Sequence, residues 1–228
     1  MKSRRWAIGV ITGFWILLCV VAGVVYVVDP YFHFHAPFLG MSDVMEEEQY
    51  MNDGITRNFE YDAAVTGTSL TQFFSTSEID ELFGVKSVRL TFKGEGFRRI
   101  NDNLEKMTVE KDGLKLVIRG IDTMWFIADA NYMEYESYPE YLYDENLWND
   151  VNYIFNQDIF MQRVIPQIAR TVQGIPAKDF DMYIPAERKP LTTTYERPEK
   201  EEWSVTPEEM EESMRILSES LEKNVLAV

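Results

Sequence analysis

The sequence predicts an α/β fold with a mostly parallel sheet, placed behind a single membrane-spanning helix. The first observation is an uninterrupted uncharged stretch from Trp6 to Val28. The second is a unit of strand, glycine-containing turn and helix that occurs three times in succession, beginning near Ala63, Ser87 and Leu114. Repeated units of this kind are typical of parallel sheets, in which the turns gather at the carboxyl ends of the strands.

The N-terminal stretch predicts an uncleaved anchor. At about 1.5 Å per residue, residues 6–28 are long enough to cross a hydrocarbon core of about 30 Å. Three basic residues precede the stretch: Lys2, Arg4 and Arg5. Basic residues stay on the cytoplasmic side, so we expect residues 1–5 in the cytoplasm and a single-pass plasma-membrane protein whose domain is extracytoplasmic. A cleaved signal peptide is the alternative, but the apolar run is longer than usual and ends without an A-x-A-like site.

Residues 29–60 are predicted to connect the anchor to the domain. His33 and His35 lie in the aromatic run Tyr31–His35, and on an extended strand they would face the same side, as a metal pair does. The alternative, which we favour, is side chains with an apolar body and a polar tip at a membrane interface. Further along, the sequence Asn52–Gly54 indicates a turn. We expect Arg57 either to form an ion pair with a nearby acidic residue or to bind an anionic group near Ser69.

Ser69 is the candidate nucleophile. Ala63 to Val65 predict a short buried strand, and the small residues Thr66 to Thr68 suit a tight turn from strand to helix. A serine at that turn lies near a helix start, where unpaired N–H groups and the helix dipole favour a developing negative charge. The alternative is an N-cap, because serine is a preferred capping residue.

The next two units place further candidates at the same edge of the predicted sheet. The strand Ser87–Phe92 leads to Gly94 and then to an amphipathic helix over 97–107. The strand Leu114–Arg119 leads to Gly120, Ile121 and Asp122. Arg119 closes that strand and is a candidate for a buried ion pair or a substrate contact.

This order of blocks resembles the SGNH (GDSL-like) hydrolase superfamily, and more narrowly the membrane-anchored, SGNH-like cell-envelope proteins of bacteria. That group includes relatives of the D-alanyl-lipoteichoic acid biosynthesis protein. The resemblance implies a three-layer α/β/α domain over residues 61–228, with Ser69 as nucleophile, Gly94 as a backbone oxyanion donor and Asp122 in the third block.

The chain departs from the family pattern at three places. Thr68 replaces the aspartate of the Gly-Asp-Ser-Leu block, and Ile121 occupies the position of the asparagine oxyanion donor. No Asp-x-x-His block supplies a base, because the only histidines are His33 and His35.

The resemblance implies an esterase or O-acyltransferase that acts on an acylated cell-envelope glycan or polymer, with a membrane acyltransferase as partner. The departures from the pattern support the alternative of a non-catalytic module that binds a glycan or a partner protein. The sequence predicts no cofactor, because it contains neither a Walker loop nor a Rossmann Gly-x-Gly-x-x-Gly.

Composition excludes several classes of function. The formal net charge is −16, which disfavours nucleic acid as a partner. Cys19 is the only cysteine and lies in the predicted anchor, so an intrachain disulfide and a Cys-based zinc site are excluded. Hydrophobic residues make up 46% of the chain, which is enough for a packed core.

Two further features lie in the C-terminal half of the chain. The stretch Tyr132–Tyr153 is dense in tyrosine and acidic residues and predicts either a sugar-binding surface or a packing layer over the sheet. A helix is predicted from Thr206, with Met210, Met214, Leu217 and Leu221 on its apolar face. That helix is expected to lead into a strand, and we therefore expect a domain truncated at its C-terminus.

Overall fold

The computed structural model describes residues 2–37, 40–121, 131, 139–183 and 215. Within these ranges the protein has an N-terminal helix, a three-stranded parallel sheet and helices around that sheet. The predicted α/β class with parallel strands is confirmed.

Helix α1 spans Lys2–Val28. The part from Ser3 to Val28 is long and apolar enough to cross a membrane. Within an apolar stretch of 18 residues in this part, only 6% of the stretch is buried by the rest of the protein. A helix that is apolar on all sides and remains uncovered over most of its length fits a lipid environment better than water. The predicted anchor is therefore a helix of membrane-spanning length.

The sheet consists of β1 (Ala63–Gly67), β2 (Ser87–Thr91) and β3 (Leu116–Arg119). Both outer strands pair with β1 in parallel, which gives the order β2-β1-β3. The register aligns Gly67 with Thr91 and Thr66 with Arg119. The carboxyl ends of the three strands therefore meet at one edge of the sheet, which we call the carboxyl edge.

Two helices connect these strands. Helix α3 (Thr76–Phe83) follows Ser75, whose side chain accepts a hydrogen bond from the Glu78 amide at 3.2 Å, and it ends at Gly84 in the left-handed conformation. Helix α4 (Phe97–Glu110) confirms the amphipathic helix predicted there, since residues at three- and four-residue spacing are buried. Those buried residues are Ile100, Asn103 and Met107.

The two faces of the sheet are covered by different elements. The Arg119 guanidinium lies 4.1 Å from the centre of the Phe97 ring, so α4 covers the face that carries Arg119. Because side chains alternate along a strand, Thr66 and Leu90 share that face. Thr91 lies on the opposite face, where its hydroxyl is 3.5 Å from that of Thr71.

Helix α2 (Glu48–Asn58) lies within the predicted connector 29–60 and packs into the same core as the sheet. The turn predicted at Asn52–Gly54 is wrong, because these residues lie inside α2. A side chain at Gly54 would collide with the backbone carbonyls of Tyr31 and Phe32. Glycine is used here for close approach of two backbones, and this packing overrides the local turn signal.

The C-terminal part of the described chain is helical. A 3₁₀ helix (Glu140–Leu142) precedes α5 (Val151–Ile154). Helix α6 (Gln157–Ile159), a π-helical turn (Phe160–Val164) and α7 (Ile165–Val172) then follow one another without a break, and we call them the helical segment 157–172.

Tyr153 is fully buried and belongs to the core, which supports the packing role for this member of the tyrosine-rich stretch. Other predictions lie outside the described residues. They are the tyrosines at 132, 135 and 138 and, apart from Arg215, the helix predicted from Thr206.

Candidate active site

Ser69 lies at the carboxyl edge, two residues after the end of the central strand β1. It is the first residue of a short 3₁₀ helix, Ser69–Phe73, and it is exposed. Among the described residues its hydroxyl has no hydrogen-bond partner. An accessible hydroxyl at the carboxyl end of a central parallel strand occupies the position where open α/β sheets bind their ligands.

The N-cap interpretation of Ser69 is wrong. The N-cap position of the 3₁₀ helix is Thr68, and it makes no side-chain capping bond. The serine that caps an α-helix is Ser75, at the start of α3. The α-helix dipole predicted at Ser69 is absent as well, because α3 begins only at Thr76.

Close packing joins the turn after β1 to the turn after β3. The buried Thr71 hydroxyl donates to the Thr68 carbonyl at 2.7 Å, which fixes the rotamer of this side chain. Its methyl group faces Gly120, where a Cβ atom would lie 2.5 Å from Thr71 Cγ2. The Gly120 amide in turn donates to the Thr66 carbonyl at 2.8 Å. Gly120 is therefore needed for the two turns to approach each other.

Gly94 lies in the turn after β2, the strand that pairs with β1 on the side opposite β3. Its φ is 64°, and it is buried. The amide of Phe92, two residues earlier, donates to the Gly67 carbonyl at 2.9 Å. The turns that carry Ser69 and Gly94 therefore follow adjacent paired strands at the carboxyl edge, as the sequence predicts.

Glu95, directly after Gly94, is a candidate that sequence reasoning missed. Its side chain is only 3% exposed, and Oε2 has no hydrogen-bond partner among the described residues. Burial raises the pKa of Glu95 to about 7, against a smaller opposing effect of Arg99. A carboxyl group with this pKa can give and take a proton at neutral pH. The available signal was an ionisable residue immediately after the glycine that ends a strand unit.

The turn after β3 is described only as far as Ile121, which is 66% exposed. Asp122 lies outside the described residues. Arg119 is held by α4, since its Nη1 donates to Asn101 Oδ1 at 2.6 Å and its guanidinium stacks on Phe97. Neither contact is an ion pair, and burial lowers the pKa of Arg119.

Both histidines lie near the end of α1 rather than beside Ser69. His33 Nε2 is 2.9 Å from Asp150 Oδ1, and Arg57 Nη2 is 3.1 Å from His33 Nδ1. His35 Nε2 is 2.7 Å from the Tyr26 carbonyl. Because α2 ends just after Arg57 and the chain then enters the amino end of β1, His33 lies at the edge of the sheet opposite Ser69.

These contacts also answer the predictions for metal and anion binding near the anchor. His33 and His35 have different partners and do not form a metal pair. Within the described ranges, no group of three His, Cys, Asp or Glu side chains is arranged to hold a metal ion. Arg57 pairs with Asp53 at 2.7 Å, which confirms the local ion pair.

A cavity of about 530 Å³ opens beside the amino end of β2. Apolar side chains that include Val88, Phe59 and Phe180 line it, together with the buried Arg89. The Arg89 guanidinium donates to the carbonyls of Gln72 and Asp179, and burial lowers its pKa. This cavity is separate from Ser69, because it lies at the opposite end of the strands.

Comparison of the chain with protein-family models, with curated proteins and with solved structures finds no match. Function is therefore inferred from the geometry of the carboxyl edge and from the residues that lie there.

Proposed function

We propose that this protein is a membrane-anchored, extracytoplasmic SGNH-like protein that removes or transfers an ester-linked acyl group on a cell-envelope glycan or polymer. The observation that carries the proposal is the exposed Ser69 hydroxyl at the carboxyl end of the central strand. The order β2-β1-β3 supports it, because doubly wound α/β/α folds with this order bind ligands where the connections from the central strand diverge.

In the proposed reaction, Ser69 Oγ bonds to the ester carbonyl carbon and loses its proton to a general base. Collapse of the tetrahedral intermediate breaks the bond from the carbonyl carbon to the alkoxy oxygen, which takes up that proton. Water or a second hydroxyl group then bonds to the carbonyl carbon of the acyl-serine and gives its proton to the base. The bond from that carbon to Ser69 Oγ breaks and Oγ takes up the proton, which completes hydrolysis or transfer. The amides of Ser69 and Gly94 are the oxyanion donors that the family resemblance assigns.

Glu95 is the candidate for the proton transfer. It is adjacent in sequence to Gly94 at the carboxyl edge, and its pKa is raised to about 7. A base with a pKa near the working pH is the most effective one. Neither histidine is available, because His33 and His35 are engaged near the end of α1.

The proposed location rests on α1 and on the charges that flank its apolar part. Lys2, Arg4 and Arg5 hold the N-terminus in the cytoplasm, so the domain faces outward. A protease added to intact cells should then digest the domain. Complete protection of the domain in intact cells, with digestion after lysis, would place it inside and contradict the proposal.

The chemistry is tested with a serine-directed fluorophosphonate probe on the full chain in membranes. The wild type should be labelled and Ser69→Ala should not, while the melting temperatures of the two proteins stay the same. Ser77→Ala is the matched control, because Ser77 is also exposed but its hydroxyl donates to Asp181 at 2.9 Å. Labelling of Ser69→Ala at the wild-type level would remove Ser69 from the mechanism.

A non-catalytic binding module is the second candidate function. The observation that favours it is the engagement of both histidines at the edge opposite Ser69, together with Ile121 at the position of the asparagine donor. A folded, outward-facing wild type that the probe never labels would support this function over acyl transfer.

A further inference from the structure

We propose that the domain sits on the bilayer around α1, with an apolar surface inserted among the lipid head groups. The apolar surface consists of four residues in α5 and directly before and after it: Leu147, Trp148, Val151 and Phe155. This inference is independent of the chemistry at Ser69 and rests only on α1 crossing a bilayer.

The apolar surface is uncovered. Trp148 and Leu147 are 87% and 80% exposed, and Val151 and Phe155 are about half exposed. Leu147, Val151 and Phe155 recur at four-residue spacing, which places them on one face of the helical turns around α5. Large apolar side chains that are exposed together mark an interaction surface rather than an ordinary water-facing surface.

The opposite face of the same turns is bound to the chain that leaves α1. Tyr153 donates from its hydroxyl to Asp29 Oδ1 at 2.8 Å, and Asp150 Oδ1 lies 2.9 Å from His33 Nε2. Asp29 is the first residue after α1. The turns that carry the apolar surface are therefore held directly against the residues that follow α1.

The domain covers the last turns of α1, which sets its depth. Val25 and Val28 are 0% and 5% exposed, and α5 and the helical segment 157–172 both contact α1. Val21 also packs against the core, and the rise from Val21 to Val28 is about 10 Å. Residues 6–28 are about 34 Å long and exceed the hydrocarbon thickness of about 30 Å by only a few ångströms, so the covered turns reach from the head groups into the outer part of the hydrocarbon core.

Lipid is the occupant that fits this position best. Tryptophan is enriched at the membrane interface, where its ring is buried among acyl chains while its N–H remains hydrated. The chain carries a net charge of −16, so electrostatic attraction to anionic lipid does not keep the domain at the membrane surface. Burial of apolar side chains is the remaining source of affinity, and the apolar surface supplies it.

The test uses the full chain in liposomes, with the environment-sensitive dye NBD attached to a single cysteine. Trp148→Cys and Leu70→Cys are each made on a Cys19→Ser background, and Cys19 itself is labelled in the wild type. Leu70 is the matched control, because it is 61% exposed but lies at the carboxyl edge, the end of the sheet opposite α1. The liposomes contain phosphatidylcholine that carries a spin label on one acyl chain, near the head-group end in one set and near the terminal methyl group in a second set.

The proposal predicts that the dye at position 148 is blue-shifted and loses most of its fluorescence to the spin label near the head groups. The dye at Cys19, which lies near the middle of the span, should lose its fluorescence to the spin label near the terminal methyl group. The dye at position 70 should keep its fluorescence in both sets. Quenching at Cys19 but not at 148 would overturn the proposal and leave the anchor in place. A blue shift at 148 without quenching would overturn it in favour of a protein contact. Absence of quenching at Cys19 would show that α1 is outside the bilayer. It would overturn both the membrane anchor and the insertion of the apolar surface.

Discussion

The Tyr153 hydroxyl donates a hydrogen bond of 2.8 Å to Asp29 Oδ1, joining the residue that follows α1 to a helix more than a hundred residues later. The same hydroxyl accepts from the Tyr31 amide at 3.2 Å. Asp29 also accepts hydrogen bonds from the amides of His33, Phe34 and His35. This buried network attaches the domain rigidly to the end of α1.

Tyr153→Phe should destabilise the full chain by about 1–3 kcal/mol, because it removes one of the two hydrogen bonds to the buried Asp29 Oδ1 and takes away the hydroxyl to which the buried Tyr31 amide donates. The loss is measured as a lower melting temperature in detergent micelles. Tyr50→Phe is the control, since the Tyr50 ring packs 5.0 Å from that of Tyr31 but its hydroxyl bonds to none of the described residues. Equal losses in the two variants would show that the hydrogen bonds of Tyr153 contribute nothing.

The partners of His33 specify its tautomer. The Arg57 guanidinium can only donate, so His33 Nδ1 accepts and Nε2 carries the hydrogen that Asp150 accepts. Nitrogen NMR at neutral pH should therefore show a protonated Nε2 and an unprotonated Nδ1. Arg57→Leu removes the donor and should weaken this preference. Protonation of both nitrogens in the wild type would contradict the assignment.

Local signals were sufficient to predict the sheet. Strand β1 has a run of small and β-branched residues that ends at Gly67, β2 carries Val88 and Leu90 at alternate positions, and β3 has an apolar run. Gly94 and Gly120 follow the two outer strands. For the same reason, the turns that carry Ser69 and Gly94 follow adjacent paired strands, as the pattern predicts. Parallel topology makes the ends of such strands coincide, so a short pattern carries long-range information.

Features that depend on packing between distant segments could not be predicted in this way. Burial of Glu95 is a property of the folded chain, and the local sequence Lys93–Gly96 does not predict it. The bond between Asp29 and Tyr153 spans most of the chain, and no periodic pattern links the two residues. Gly54 was misinterpreted because glycine gives the same local signal in a turn and at a close helix contact.

Gly120→Ala tests the contact between the turns of β1 and β3. The new Cβ would lie 2.5 Å from Thr71 Cγ2, and overpacking of this kind costs about 1–3 kcal/mol. Thr71→Ser removes that methyl group but keeps the hydroxyl that donates to Thr68. The double variant should therefore be more stable than the sum of the two single losses predicts. Strict additivity in denaturant unfolding would show that the two side chains do not meet.

Burial of Glu95 should make the stability of the protein depend on pH. Its folded pKa of about 7 is above the ordinary value of 4.5, so the folded state binds the proton more tightly than the unfolded state. The resulting stabilisation is fully present below about pH 4.5 and is lost as the pH rises through about 7. Asp43, whose pKa burial raises to about 6, contributes a decline of the same sign.

Glu95→Gln keeps the shape of the protonated acid and should remove the Glu95 part of this decline. The variant should match the wild type in acid and exceed it at about pH 8, by an upper limit of about 3 kcal/mol in unfolding free energy. Glu105→Gln on the exposed face of α4 is the control and should follow the wild-type curve. If Glu95 also serves Ser69, the labelling rate of the wild type should rise with pH through about 7, and Glu95→Gln should lose that rise. A stability difference without a change in the labelling profile would leave Glu95 a buried acid with no part in the chemistry.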